Sequence, residues 1–160
     1  MIIALGSNLG DSRKIISEAM TALEEFSKGS VLKSSLWKTT PVDCPPGSAE
    51  FVNAVVAFVP KPGETPESLL AKLRVLEKQF GRTDKKVMNE PRPLDLDLIA
   101  FGSEVRNSLE LTLPHPRAHL RKFVLQPLSE IVPDLILSGQ SKTVLELLEE
   151  VSGEESLRKI

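Results

Sequence analysis

The chain has 160 residues, 41% of them hydrophobic and 26% charged, with a net charge of −2. That length suits one domain over 1–160, and the near-neutral balance argues against a general nucleic-acid or membrane-surface binder. No apolar run approaches the roughly 20 residues that cross a bilayer, the N-terminus lacks a basic leader, and the lone Cys44 makes no internal disulfide. A cytoplasmic protein is the expectation.

In chain order, residues 1–5 are a short apolar run ending at Gly6, which predicts a buried first strand. Asp11 or Ser12 can cap a helix whose apolar positions, Ile15, Ile16, Ala19, Met20, Leu23 and Phe26, recur at three-to-four-residue spacing up to a stop at Gly29. Residues 31–39 and 51–59 read as the second and third strands, separated by a proline-rich loop. Thr65 as N-cap, Pro66 in the first turn and a stripe of Leu69, Leu70, Leu73, Leu76 and Phe80 predict a second helix, stopped by Gly81. Residues 94–101 read as a fourth strand. A hairpin, a Pro114-His115-Pro116 turn, short helical pieces at 125–131 and an amphipathic helix at 143–151 complete the chain. This order predicts an α+β, ferredoxin-like βαββαβ core, with helices on one face of an antiparallel sheet.

Two features carry chemistry. In Leu94-Asp95-Leu96-Asp97-Leu98 the side chains alternate, so both aspartates leave one face of a strand about 7 Å apart. Their repulsion calls for a cation. Hard oxygen ligands favour Mg2+, which takes one or two carboxylates together with phosphate oxygens and water. Arg92, held between Pro91 and Pro93, sets a guanidinium beside them, a combination suited to a polyphosphate. The second feature is Asn53, a polar residue inside the apolar run Phe51-Val52-Asn53-Ala54-Val55, which needs partners. Phe51 shares its face. A further bias places Arg82, Lys85, Lys86, Arg92, Arg106, Arg117, Arg121 and Lys122 between Phe80 and Phe123, as a small anionic ligand would require.

Pro91-Arg92-Pro93-Leu94-Asp95-Leu96-Asp97 resembles the signature of the hydroxymethyl-dihydropterin pyrophosphokinases. So do Ala4-Leu5-Gly6-Ser7-Asn8, the run from Thr39 to Val42, Phe51-Val52-Asn53-Ala54, Leu111-Thr112-Leu113-Pro114-His115-Pro116-Arg117 and Arg121-Lys122-Phe123, in order over about residues 2–135. The resemblance implies ATP as co-substrate and two magnesium ions on Asp95 and Asp97. It also implies attack of a pterin hydroxymethyl oxygen on the β-phosphorus. By the same resemblance Arg82 and Arg92 join the two aspartates in catalysis. Thr39, Pro41, Val42, Phe51, Asn53, Asp95 and Phe123 hold the pterin, and Glu77, Arg82, Arg92, Leu98, Thr112, His115 and Arg121 hold ATP.

The match departs in the 83–90 loop, where Asp84, Met88, Asn89 and Glu90 stand at positions that in the family are often basic, aromatic or glycine, and at Asp43 in the pterin loop. Two alternatives therefore stand beside a working enzyme. One is a non-catalytic pterin- or nucleotide-binding homologue. The other is a ferredoxin-like RNA-binding module, disfavoured by 4% aromatics and no tyrosine. Small-molecule partners are expected, with no nucleic acid or membrane, and a monomer or homodimer is equally compatible.

Overall fold

The fold is described from a computed structural model that covers residues 1–40, 47, 49–82, 91–151 and 156–160. Its strands are β1 (Ile2–Ser7), β2 (Leu32–Lys33), β3 (Trp37–Thr39), β4 (Phe51–Ala57), β5 (Asp95–Ala100), β6 (Arg106–Asn107), β7 (Thr112–Leu113) and β8 (Leu157–Lys159). Its helices are α1 (Ser12–Leu23), α2 (Pro66–Gln79), α3 (Lys122–Ile131) and α4 (Val144–Glu150).

The central sheet runs β5-β1-β4-β3-β8, with β2 also paired to β4. Every pairing in it is antiparallel. Alternation along the strands divides the core in two. Ile3, Leu5, Val52, Ala54, Val56, Leu94, Leu96 and Leu98 face one way and pack under α1 and α2. Ile2, Val55, Ala57, Ile99 and Ala100 face the other way and are covered by residues of α3 and α4. Helices therefore cover both faces, not one. The reason is legible in β4, whose run is apolar on both faces except at Asn53 and gives each face its own buried set. A sheet with one wet face would have shown polar alternation instead.

Local signals place the helix ends. Thr65 caps α2 through a reciprocal pair with Ser68, and Thr143 caps α4 in the same way with Glu146. The first helix ends earlier than its apolar spacing suggests. Its α-helical part stops at Leu23, and Glu24–Phe26 form a 3-10 turn.

Two elements differ more from expectation. Residues 31–39 are not one strand, because the register against β4 slips by one residue between β2 and β3. Ser34 causes the break. Its hydroxyl accepts the Val55 N–H at 2.9 Å and donates to the Ser35 carbonyl at 2.8 Å, so a side chain replaces a ladder bond. The C-terminal strand β8 is the other difference. It pairs Leu157 with Thr39 and closes the β3 edge, and its charged sequence gave no strand signal.

Glu130 on α3 fastens this edge. It accepts from Ser35 N–H at 3.1 Å, Ser35 Oγ at 2.8 Å and Trp37 Nε1 at 2.8 Å, and it pairs with Lys159 of β8 at 3.3 Å. Burial alone would raise its pKa, but the bonds from Trp37, Ser35 and Lys159 outweigh that and hold it below the usual 4.5. A depressed carboxylate stabilises the fold above its unfolded pKa, and this is lost as pH falls. Glu130→Ala is expected to cost about 1–2 kcal/mol in denaturant unfolding near neutral pH, shrinking in acid as pH falls below the ordinary carboxylate range. An equal cost at both pH values would mean that packing, not the charge, ties α3 to the edge.

Candidate functional site

The site lies on the α3/α4 face of the sheet, where parity puts Asp95 and Asp97 on β5, Ala4 and Gly6 on β1, and Phe51 and Asn53 on β4. Register sets them in rows. Gly6 stands between Asp95 and Asn53, and Ala4 between Asp97 and Val55. The two features singled out in the sequence thus meet across one glycine.

Asp95 is held by two arginines. Arg82 Nη1 donates to its Oδ1 at 2.6 Å, and Arg92 Nε lies 3.6 Å from its Oδ2. Arg82 is itself aimed by Glu77. That carboxylate is 3% exposed and accepts from Arg82 at 2.7 Å, from Arg74 at 2.7 Å and from the Leu96 N–H at 2.8 Å. A buried charge with three donors is well compensated, and here it ties α2 to β5. Arg92 is fixed from the other side. Its N–H donates to Asn8 Oδ1 at 2.9 Å, its carbonyl accepts from the Asn8 N–H at 3.1 Å, and its guanidinium lies 5.2 Å from the Phe51 ring centre. Such a cation over an aromatic face is attractive.

Asp97 is the less compensated member of the pair. Burial pushes its carboxyl up to about 7, the Asp95 charge adds to this, and Arg74 and Arg121 only partly oppose it. At 7 Å and an effective dielectric of 20, two full charges would repel by about 2 kcal/mol. The protein therefore holds an acidic pair that it neutralises incompletely by itself. Two carboxylates without further acidic ligands fit Mg2+, which seldom takes an all-protein cage. Among the described residues no set of three or more His, Cys, Asp or Glu forms such a cage.

Asn53 finds its partner inside the protein. Its Nδ2 donates to Thr39 Oγ1 at 2.7 Å, which fixes the amide across β3 and β4. Phe123, in the first turn of α3, packs on the site-face cluster with Arg121 over its ring at 5.4 Å. The His115 N–H donates to the Ile99 carbonyl at 2.8 Å, and its Nδ1 accepts from the Arg117 N–H at 3.2 Å. Burial lowers its pKa to about 4, with help from Arg121 and Arg117. The ring is thus neutral at pH 7 and carries its proton on Nε2. Thr112 is on β7, with its hydroxyl directed to the Ser108 carbonyl at 3.5 Å.

Leu98 departs from the group. Its side chain is buried under α1 and α2, on the face opposite the aspartates. Arg106 also leaves the basic cluster, pairing with Glu67 and Glu104 at the surface. Pro41 and Val42 lie outside the described residues, as do Asp43 and the divergent 83–90 segment with Lys85 and Lys86. Arg74 and Asn8 carried no role in the sequence reading. Arg74 could have been flagged by its i,i+3 spacing to Glu77 on α2, whereas nothing local reveals that Asn8 would clamp Arg92.

Comparison with known proteins gives the family and the fold. The model of the family described as 7,8-dihydro-6-hydroxymethylpterin-pyrophosphokinase (HPPK) matches residues 2–133. A Haemophilus influenzae 2-amino-4-hydroxy-6-hydroxymethyldihydropteridine pyrophosphokinase is 34% identical, covering 98% of this chain and 95% of its own. The protein of that name from Synechocystis is 33% identical over 94% of this chain and 75% of its own. A Plasmodium falciparum HPPK-DHPS structure superimposes with a TM-score of 0.71 at 14% identity, over 93% of this chain. The chain spans only 43% of that structure, and the likeness at this identity concerns the fold.

The raised Asp97 makes a pH-dependent prediction. Between the usual 3.8 and about 7 the folded protein keeps a proton that the unfolded chain has released. The contribution favouring folding is therefore complete at low pH and lost as pH rises through about 7. In magnesium-free buffer Asp97→Asn should stabilise the protein by on the order of 2 kcal/mol above about pH 7, fading toward pH 4. Denaturant titrations at the two pH values check this, and a destabilised variant at high pH would contradict the charge assignment.

Proposed function

The chain belongs to the 7,8-dihydro-6-hydroxymethylpterin-pyrophosphokinase family, and we propose that it moves the pyrophosphoryl group of ATP onto the hydroxymethyl oxygen of 6-hydroxymethyl-7,8-dihydropterin, a step of folate biosynthesis. The observation that carries this reading is the placement of Asp95 and Asp97, with Arg82 and Arg92 paired to Asp95, on the sheet face that also carries Phe51, Asn53 and Thr39, with β1 between β5 and β4. A polyphosphate subsite and a flat polar-ring subsite thus share one floor. The strand order β5-β1-β4-β3, with α1 and α2 on one side, supports a ferredoxin-like core beneath it.

In this reading the hydroxymethyl oxygen bonds to the β-phosphorus as the bond from that phosphorus to the α,β-bridging oxygen breaks. AMP leaves with the bridging oxygen, and the hydroxyl proton is released. Asp95 and Asp97 would hold two magnesium ions, which when bound supply charge neutralisation of the polyphosphate and fix an in-line geometry. Arg92, clamped by Asn8, and Arg82, aimed by Glu77, would meet the phosphate oxygens with preset guanidinium planes. His115 offers its Nε2–H as a neutral donor, and Arg121 adds positive charge from the start of α3. Thr112 would contribute at the nucleotide's other end, and Leu98 through its backbone, since its side chain faces away. Phe51 and Phe123 would flank the pterin ring, whose edge the Asn53 amide reads. Holding both substrates on one rigid sheet removes much of the orientational cost of a two-substrate reaction.

Release of AMP from ATP and magnesium is expected to require the hydroxymethyl-dihydropterin and to fall by about 1,000-fold or more in Asp95→Asn. Pterin binding without turnover in the wild type would instead favour a non-catalytic homologue. AMP release independent of the pterin would contradict the substrate assignment.

A further inference from the structure

One row of the site crosses the sheet through Asp95, Gly6, Asn53 and Trp37, on β5, β1, β4 and β3. Gly6 is the member without a side chain. It shares the parity of Ile2 and Ala4, so a Cβ there would point into the site. Such a Cβ would lie 3.1 Å from Asn53 Oδ1 and 3.6 Å from Phe51 Cδ1. The first distance is tighter than ordinary packing, and the amide is not free to yield. Asn53 is 6% exposed, and its Nδ2 is tied to Thr39 Oγ1 at 2.7 Å. The amide leans from β4 over β1 into the space a side chain at position 6 would fill, with Thr39 holding its other end.

We infer that Gly6 is a specificity-determining residue, which by lacking a side chain lets Asn53 present Oδ1 above β1 as an acceptor for the N–H groups along a pterin edge. Thr39 sets the direction of that amide, and Gly6 sets how close it lies to the floor. The inference rests on the pterin reading above and adds a residue to it. Any side chain at position 6 displaces Oδ1 by a few tenths of an ångström and crowds Phe51. On the phosphate side, no atom of Arg82, Arg92 or Asp97 lies within 4 Å of that Cβ.

The test is Gly6→Ala, titrated calorimetrically with 6-hydroxymethyl-7,8-dihydropterin in the presence of α,β-methylene-ATP, and with that nucleotide alone. Pterin affinity should fall about 10-fold or more, the worth of one well-placed hydrogen bond, while nucleotide affinity and thermal midpoint stay at wild-type values. Unchanged pterin affinity, or equal losses for both ligands, overturns the inference. A readout without ligand accompanies it. The Asn53 side-chain amide signals in NMR should shift and exchange faster with solvent in Gly6→Ala, and unaltered signals also overturn it. If Gly6→Ala does not fold, Thr39→Val frees the other end of the amide and should cost comparable pterin affinity. A wild type that binds no pterin defeats the functional reading itself. A wild type that binds, with a variant that binds equally well, defeats only the role of Gly6.

Discussion

Two carboxylates are forced onto one face of β5, the strand that ends the sheet beside β1, and helices pack on that face. β5 cannot relieve the crowding, because the same alternation that exposes Asp95 and Asp97 buries Leu94, Leu96 and Leu98 in the opposite layer. A one-residue slip would carry both aspartates together to the other face and drive the leucines out of the core. The charge problem must therefore be met by neighbours. Asp95 receives Arg82 and Arg92, whereas Asp97 is left with more distant arginines and a carboxyl raised to about 7. Much of the surrounding polar architecture follows from this. Glu77 aims Arg82, Arg74 completes Glu77, and Asn8 pins the backbone that carries Arg92.

Parity also explains how one sheet serves two tasks. The layer under α1 and α2 is built from apolar side chains of β1, β4 and β5, with Ser7 at its end bonded to Ser12 of α1, and gives rigidity. The opposite layer is apolar toward α3 and α4 but turns polar at one end of the strands, where Phe51, Asn53, Gly6 and Asp95 come together. The proposed substrate-facing side chains of Asp95, Asp97, Phe51 and Asn53 thus sit on strands, with their angles set by backbone pairing. The sheet edge next to the site is secured by β8 and by Glu130, which joins α3 to Ser35 and Trp37.

Much of this was legible in the sequence because it depends on local signals. The D-x-D alternation, the polar Asn53 within an apolar strand and the Thr65 cap each have a short-range physical reason, and each stands where the spacing placed it. What the sequence did not reveal depends on partners far along the chain. Ser34 breaks a predicted strand by bonding across to Val55, and Asn8 meets Arg92 across 84 positions. Glu77 reads as a helix residue near a nucleotide, yet its carboxylate is buried among Arg74, Arg82 and a strand amide. The second helical layer was visible only indirectly, in strands with no polar face. The family resemblance supplied roles that such spacing could not.

The claim on which the account depends is that the under-compensated aspartate pair is a cation site completed by a polyphosphate. Anomalous diffraction from crystals grown with Mn2+ and α,β-methylene-ATP tests it most directly. The account predicts two anomalous peaks held by the Asp95 and Asp97 carboxylates beside the phosphates of the bound nucleotide. Nucleotide bound without metal at these carboxylates, or metal held elsewhere in the chain, would contradict it.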